Sequence, residues 1–191
     1  NKHVEAGLWD REQFPGMLLK GRTLGLIGCG RIGQWMARYA TAFGMRVVGH
    51  DPYLPESEWP ATIERADLDT VLSSAHAVSI HVHLSDETRG LVRQREFGLM
   101  RPGTILINTS RGAICDEDAL LQALESGHLG AYGTDVLEGE PDIQKSRVWQ
   151  YAQKHDNCLI TPHIGGFSPD AVNIVLKFSA ERIRGHFASQ A

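Results

Sequence analysis

The chain has 191 residues, of which 42% are hydrophobic and 22% charged, with a formal net charge of −4 at pH 7. This is the balance of a soluble globular protein of about one domain. The acidic charge argues against a generic nucleic-acid binder, which needs a basic face for phosphates. We expect no membrane span, because no apolar run approaches about 20 residues, and residues 1–20 lack the apolar core of a signal peptide.

The three cysteines, Cys29, Cys115 and Cys158, are widely spaced. They form neither a CxxC pair nor a zinc-binding spacing with histidine. This usage predicts a reducing, cytoplasmic compartment. We expect buried, small hydrophobic side chains, with a reactive thiol as the alternative.

Strand-like and helix-like patterns alternate along the chain. Helical spacing with one apolar stripe marks a first helix, stopped by Gly44; the stripe is Ile32, Trp35, Met36, Tyr39, Ala40 and Phe43. Short apolar runs predict strands at 23–28, 46–51, 77–82, 104–108, 131–136 and 158–161. Further helices are predicted at 68–75, 117–126 and 169–187, the last capped by Ser168.

Repeated strand–helix–strand units predict an α/β fold with a doubly wound parallel sheet of about six strands. Ligands of such sheets bind at the carboxyl ends of the strands. We divide the single domain, 1–191, into a first segment (1–20), a sheet-forming core (21–167) and a C-terminal helix (168–187).

Residues 28–33 read Gly-Cys-Gly-Arg-Ile-Gly after a strand and at the start of a helix. In this context the G-x-G-x-x-G pattern indicates a dinucleotide site. Gly28 permits the tight turn, Gly30 lets a pyrophosphate approach, and Gly33 lets the helix pack closely. The free amides of Arg31 and Ile32 would face the anion. The alternative is a merely glycine-rich turn.

Asp51 follows Gly28 by 23 residues, close to the usual interval of about 20. Its carboxylate would accept hydrogen bonds from a ribose diol and would repel a 2′-phosphate. No arginine follows immediately, so we predict NAD rather than NADP. The alternative is a turn or cap residue before Pro52.

Four blocks carry a resemblance: 24–33 (LGLIGCGRIG), 108–112 (NTSRG), 135–141 (DVLEGEP) and 161–166 (TPHIGG). In this order and spacing they resemble the D-isomer-specific 2-hydroxyacid dehydrogenases. The resemblance implies a Rossmann NAD-binding domain. It also implies hydride transfer between nicotinamide and a D-2-hydroxy acid or 2-oxo acid.

The resemblance implies three catalytic residues. Arg111 would hold the substrate carboxylate and carbonyl oxygen with its planar fork. His163 would be the general acid and base. Glu140 would bond the other ring nitrogen of His163 and favour the imidazolium. Taken singly, each could be an ordinary surface residue.

The resemblance also implies cofactor contacts. Asp135 would bind the nicotinamide carboxamide. The remaining residues would line the cofactor, the last four on its nicotinamide side: Thr109, Ser110, Arg111, His163, Ile164, Gly165 and Gly166.

The sequence gives less support to two other kinds of site, a metal site and a serine hydrolase site. His81 and His83 lie at i and i+2 on a predicted strand, but a third metal ligand is missing, so we expect no metal site. His83 also stands where many members of the family carry proline, a departure that concerns the shape of the local loop and not the cofactor. A serine hydrolase is unsupported because the sequence has no G-x-S-x-G elbow.

In the resembling family the active site lies between two domains. The sequence starts at Asn1 rather than Met, so we expect it to be the cofactor domain of a longer chain, with most of the substrate domain absent. We expect weak or moderate NAD binding, little turnover by this chain alone, and a homodimer. One alternative is a non-catalytic NAD(H)-sensing module, as in corepressors of this fold. Another is a related NAD enzyme of adenosylhomocysteinase or alanine dehydrogenase type.

Overall fold

The computed structural model describes residues 2–188. Its centre is a parallel sheet of seven strands in the order β3-β2-β1-β4-β5-β6-β7. The strands are β1 Thr23–Ile27, β2 Arg46–His50, β3 Glu64–Arg65, β4 Ala77–Ile80, β5 Thr104–Asn108, β6 Leu129–Thr134 and β7 Cys158–Ile160. The doubly wound α/β prediction is therefore confirmed.

Seven α-helices connect or flank the strands within this part of the chain. They are α1 Lys2–Glu5, α2 Arg31–Ala42, α3 Leu68–Ser74, α4 Gln94–Leu99, α5 Glu117–Glu125, α6 Arg147–Ala152 and α7 Pro169–Ala188. The predicted cap of α7 is confirmed, because the Ala171 amide donates to Ser168 Oγ at 3.1 Å. The predicted stop after α2 is also confirmed: Gly44 has a φ of +75°.

The strand order reverses between β1 and β4, which are neighbours in the sheet. The connections that follow β1 and β4 run to opposite sides of the position between these two strands. A crevice therefore opens there, at the carboxyl ends of the strands. The glycine-rich segment follows β1, and the loop after β5 carries Arg111. The topology therefore brings the predicted dinucleotide and substrate residues to one edge.

Helix α2 buries only part of its predicted apolar stripe, since Ala40 is buried and Met36 is partly buried against the core. The residues packed against the sheet are small: Gly33, Ala37 and Ala40. Four of the five large residues of the stripe are 53–66% exposed: Ile32, Trp35, Tyr39 and Phe43. The close approach of helix and sheet explains this, since a Cβ on Gly33 would lie 2.3 Å from the Gly28 carbonyl oxygen.

Two other segments expose apolar side chains. Residues 8–19 precede β1, and their exposed members include Trp9, Phe14 and Leu18. Helix α7 exposes apolar side chains along its length, including Phe178 and Ile183. Within residues 2–188, no helix combines the length and apolarity that crossing a membrane requires.

Candidate active site

The glycine-rich loop has the geometry of a tight strand-to-helix turn. Gly28 has a φ of +94°, and a Cβ there would lie 2.8 Å from the His81 carbonyl oxygen. A Cβ on Gly30 would meet nothing within 4 Å. The first hydrogen bond of α2 runs from the Gln34 amide to the Gly30 carbonyl at 2.9 Å, so the earlier helical amides, including those of Arg31 and Ile32, point out of the helix end. Open space over Gly30 beside these amides fits a bound diphosphate.

Asp51 ties this loop to the end of β2. Its Oδ2 accepts from the Cys29 amide at 2.9 Å, and its Oδ1 accepts from the Tyr53 and Leu54 amides at 3.0 and 3.1 Å. Asp51 therefore does cap the turn at Pro52, as the alternative interpretation of the sequence predicted. A carboxylate has about four acceptor sites, so one remains for a ribose hydroxyl.

A cleft of about 380 Å³ continues from α2 toward the ends of β4 and β5. Ile32, His81 and His83 line one part of it. The predicted residues of the β5 loop line the other: Thr109, Ser110 and Arg111. This cleft brings residues from two of the resembling blocks together.

Buried Asn108 shapes the β5 loop. Its side-chain oxygen accepts from the Ser110 amide, and its side-chain nitrogen donates to the Arg111 carbonyl, both at 3.0 Å. The Arg111 side chain is exposed and donates to the Ser110 carbonyl at 2.6 Å. A guanidinium held at the mouth of the cleft is suited to a carboxylate.

The loops that carry Arg111 and Glu140 touch each other. A Cβ on Gly112 would lie 2.3 Å from the Glu138 nitrogen and 2.4 Å from the Leu137 carbonyl carbon. Only glycine allows this approach of the two backbones. The positive charge of Arg111 also helps to lower the pKa of Glu140.

Glu140 and His163 form a direct pair, with Nδ1 of the ring 2.7 Å from Oε2. The other oxygen, Oε1, accepts from the Leu137 amide at 2.7 Å. Burial raises the pKa of Glu140, but the hydrogen bonds from His163 and Leu137 outweigh it and leave the pKa below its ordinary value. An ionised carboxylate only accepts hydrogen bonds, so the Nδ1 atom carries the proton and Nε2 is left for a substrate.

Asp135, buried just after β6, accepts hydrogen bonds from the loop that carries His163. Thr161 Oγ1 donates to Oδ1 at 2.5 Å, and the Ile164 amide donates to the same oxygen at 3.0 Å. The Gly165 amide donates to Oδ2 at 2.8 Å. Burial raises the pKa of Asp135, but these hydrogen bonds reverse the effect and lower it. One acceptor site remains for the predicted carboxamide contact.

A second cleft, of about 480 Å³, lies beside the Glu140–His163 pair. Its wall is partly apolar and includes Ile143, Trp149 and Ile160. The predicted contacts Ile164 and Gly166 lie just beyond His163, where Ile164 is exposed and a Cβ on Gly166 would meet nothing within 4 Å.

The two histidines after β4 differ in environment. The strand ends at Ile80, so the prediction of a strand through residue 82, with both rings on one strand face, is wrong. Ser79 Oγ lies 2.9 Å from His81 Nε2, and burial lowers the pKa of His81 to about 4. His83 is exposed. Residues 2–188 contain no group of three or more His, Cys, Asp or Glu side chains placed to share a metal.

A family model for the D-isomer specific 2-hydroxyacid dehydrogenases, NAD binding domain, matches residues 1–165. The chain belongs to this family. It carries the family's NAD-binding domain, and NAD is the cofactor of that domain.

Individual members show the same relationship. The hydroxypyruvate reductase of Thermotoga maritima is 39% identical over 168 residues, covering 88% of this chain and 54% of that protein. The (S)-sulfolactate dehydrogenase of Chromohalobacter salexigens is 40% identical over 184 residues, covering 95% and 58%. A solved D-lactate dehydrogenase from Aquifex aeolicus, complexed with NAD and lactic acid, has a TM-score of 0.84 at 28% identity, covering 98% and 60%. The chain thus spans little more than half the length of these members.

Two positions in this family member were missed by sequence reasoning. Asn108 reads as the last residue of an apolar strand, and Thr161 reads as the end of another. Their partners include Ser110 and Asp135. A polar residue where a buried strand ends is the available signal, because such a side chain must find a hydrogen-bond partner.

Proposed function

We propose that this chain is the NAD-binding part of a dehydrogenase that interconverts a D-2-hydroxy acid and a 2-oxo acid. The observation that carries the proposal is the 2.7 Å pair between His163 and Glu140. This pair follows β7 and β6, on the same edge of the sheet as the glycine-rich loop and Arg111. An acid–base pair, a carboxylate anchor and a dinucleotide loop together are what this reaction needs.

Each residue has a chemical task. Arg111 binds the substrate carboxylate in a bidentate manner and polarises the carbonyl oxygen. His163, protonated, donates the proton on Nε2 to that oxygen as the carbonyl carbon is reduced. In the oxidation direction Nε2 accepts the hydroxyl proton. Glu140 keeps the other proton on Nδ1 and stabilises the charged ring.

The cofactor contacts belong to the same proposal. Bound NAD(H) supplies the hydride or accepts it. Gly28, Gly30 and Gly33 give the diphosphate its approach, while Asp51 accepts from the ribose diol and disfavours a 2′-phosphate. Asp135 takes the carboxamide with its remaining acceptor site. Thr109 and Ser110 line the cofactor, and residues 163–166 line its nicotinamide side.

The test uses the complete protein that contains this chain. NADH oxidation is followed with glyoxylate, hydroxypyruvate, 3-phosphohydroxypyruvate and pyruvate. We expect turnover of at least one acid, and a kcat/KM at least about 100-fold lower in Arg111→Ala, because a charge-assisted bidentate contact is lost. Wild-type kcat/KM in that variant would contradict the role of Arg111. NADH binding without turnover of any 2-oxo acid would instead favour the NAD(H)-sensing alternative.

We further propose a homodimer through this domain. Three exposed apolar residues of α2, Ile32, Trp35 and Tyr39, and Phe43 directly after the helix follow one another at helix-pairing intervals and are called the exposed stripe. Trp35 and Tyr39 stack at 5.9 Å. Two residues after segment 8–19, the Gly21 amide donates at 2.9 Å to the carbonyl of Gly44, the residue that follows Phe43.

The distribution of charge supports a second copy of this chain as the partner that covers the exposed stripe. Helix α2 carries two arginines and no acid, whereas segment 8–19 carries two acids and one arginine. The segment of one protomer on the stripe of its partner would give a self-complementary contact. Light scattering should report a dimer for the wild type and for Thr41→Glu, which is exposed on the opposite side of α2. Trp35→Glu should be monomeric. A wild-type monomer at all concentrations would contradict the dimer.

A cytoplasmic location also stays part of the proposal. The three cysteines are free and buried. Burial raises the pKa of Cys29 and Cys115 to about 12, which supports inert, reduced side chains over reactive thiols.

A further inference from the structure

The loop that carries His163 has an unusual backbone conformation. Within residues 2–188, His163 is the one non-glycine residue with a positive φ, +53°. This region disfavours residues with a side chain, so the surrounding structure must hold it. The Pro162 ring precedes His163, and the His163 amide donates to the Thr161 carbonyl at 3.0 Å. The conformation aims the ring at Glu140.

The restraint comes from one buried carboxylate. Asp135 receives three hydrogen bonds, and all three donors lie within residues 161–165, on both sides of His163. Gly165 permits the contact, since a Cβ there would lie 3.0 Å from Asp135 Oδ2. The bonds therefore close the loop around His163 from its two ends.

Thr161 connects this loop to the sheet. Its amide donates to the Thr134 carbonyl at 2.9 Å, which continues the pairing of β7 with β6. Its hydroxyl then reaches Asp135, the residue directly after Thr134. Backbone and side chain together fix where the loop starts relative to β6.

We propose that Thr161 and Asp135 form a positioning pair that holds His163 in its left-handed conformation and so keeps Nδ1 against Glu140. The pair does not touch the reacting atoms and acts through His163. Its effect on proton transfer rests on the proposed function, whereas its effect on the imidazole does not. Thr161 is the better probe, because Asp135 also has a proposed cofactor contact.

The experiment reads the ring of His163 by nitrogen-15 NMR of its imidazole in this chain. At a pH where the ring is neutral, we expect the wild type to carry its proton on Nδ1, because the Glu140 carboxylate accepts there. Free histidine has no such partner at Nδ1. Thr161→Val keeps the shape but removes the hydroxyl, and we expect the Nδ1–H form to fall below half of the population. Thr161→Ser should restore it.

Two further variants keep the test decisive. Gly165→Ala leaves the hydroxyl in place but pushes on the Asp135 carboxylate, and it should lower the Nδ1–H population in the same direction. Thr104→Val removes a buried hydroxyl that donates to the Arg101 carbonyl at 2.7 Å, at the opposite end of β5. This control should leave His163 unchanged. A wild-type tautomer population in Thr161→Val, or an equal change in Thr104→Val, would overturn the positioning pair.

Turnover separates this inference from the proposed function. In the complete protein, Thr161→Val should lower kcat about 10- to 100-fold with the KM for NADH within about twofold, because the proton donor is misplaced while the dinucleotide loop is intact. If Thr161→Val shifts the tautomer population of His163 but the wild-type protein turns over no 2-oxo acid, the positioning pair would be upheld and the proposed dehydrogenase function rejected. If the wild-type protein turns over a 2-oxo acid but Thr161→Val leaves the tautomer population of His163 unchanged, the positioning pair alone would be rejected.

Discussion

At the scale of single residues, Gly30 and Gly33 differ in what a methyl group would meet. Gly33→Ala places a Cβ 2.3 Å from the Gly28 carbonyl oxygen, whereas Gly30→Ala meets nothing within 4 Å. We predict that Gly33→Ala lowers the free energy of unfolding by about 1–3 kcal/mol. Gly30→Ala should stay within about 0.5 kcal/mol of the wild type. Urea denaturation measures both.

Nucleotide titration separates the same two variants. Gly30→Ala should weaken NADH binding despite its normal stability, since the new methyl group enters the space left for the diphosphate. Equal NADH affinity in Gly30→Ala and the wild type would contradict this placement of the cofactor.

Glu140 tests the acid–base pair. Glu140→Gln retains an oxygen that can contact Nδ1 but removes the charge that stabilises the imidazolium. We predict a kcat/KM for 2-oxo acid reduction about 100-fold lower in the complete protein. Glu138→Gln is the matched control, because Glu138 pairs with Arg89 at the surface rather than with His163. An equal loss in both variants would argue against a specific pair.

The lowered pKa of Asp135 makes the free energy of unfolding depend on pH. Its pKa is lower in the folded chain than its ordinary value, so the unfolded chain binds more protons in acid. The stabilisation is present above about pH 4, the ordinary pKa of aspartate, and is lost as the pH falls through the folded pKa. Asp135→Asn should therefore reduce the acid-induced loss of unfolding free energy, measured by urea titrations between pH 7 and pH 3. An unchanged pH dependence would contradict it.

At the scale of elements, the buried face of α2 limits side-chain size. Ala37 is fully buried between the helix and the sheet, so Ala37→Leu should overpack the core and lower the unfolding free energy by about 1–3 kcal/mol. Thr41→Leu, exposed on the same helix, should change it by less than about 0.5 kcal/mol. Similar stabilities of the two variants in thermal or urea denaturation would contradict the assigned face.

Strong periodicity made most elements predictable from the sequence. The six expected strands are present within a few residues, and the order of βα units determined the parallel sheet. The two-residue β3 and the six-residue helices α4 and α6 were missed, because so few residues cannot display a period. The buried face of α2 was hidden because small residues, not large apolar ones, occupy it.

The candidate site divides in the same way. The local glycine pattern located the glycine-rich loop, and the family resemblance implied that Glu140 bonds His163, a contact that the structure contains. The hydrogen bonds from Thr161 to Asp135, 26 residues apart, could not be predicted, because pairing of this kind follows from strand register rather than from local sequence.

At the scale of the whole molecule, we propose that the chain presents one wall of a site. The glycine loop, Arg111 and His163 share one edge of the sheet, and the matched region is 54% of the Thermotoga maritima protein and 60% of the Aquifex aeolicus chain. Apolar side chains are exposed on α7 and on segment 8–19. The division into residues 1–20, 21–167 and 168–187 stays a prediction.

We propose above all that His163 transfers the proton while a 2-oxo acid is reduced. The most direct test is NADH oxidation by the complete protein, wild type against His163→Gln, with NADH affinity measured on the same samples. We predict turnover by the wild type and a kcat about 10²- to 10⁴-fold lower in the variant, with NADH affinity within about threefold. An unchanged kcat in His163→Gln would show that His163 is not the proton donor.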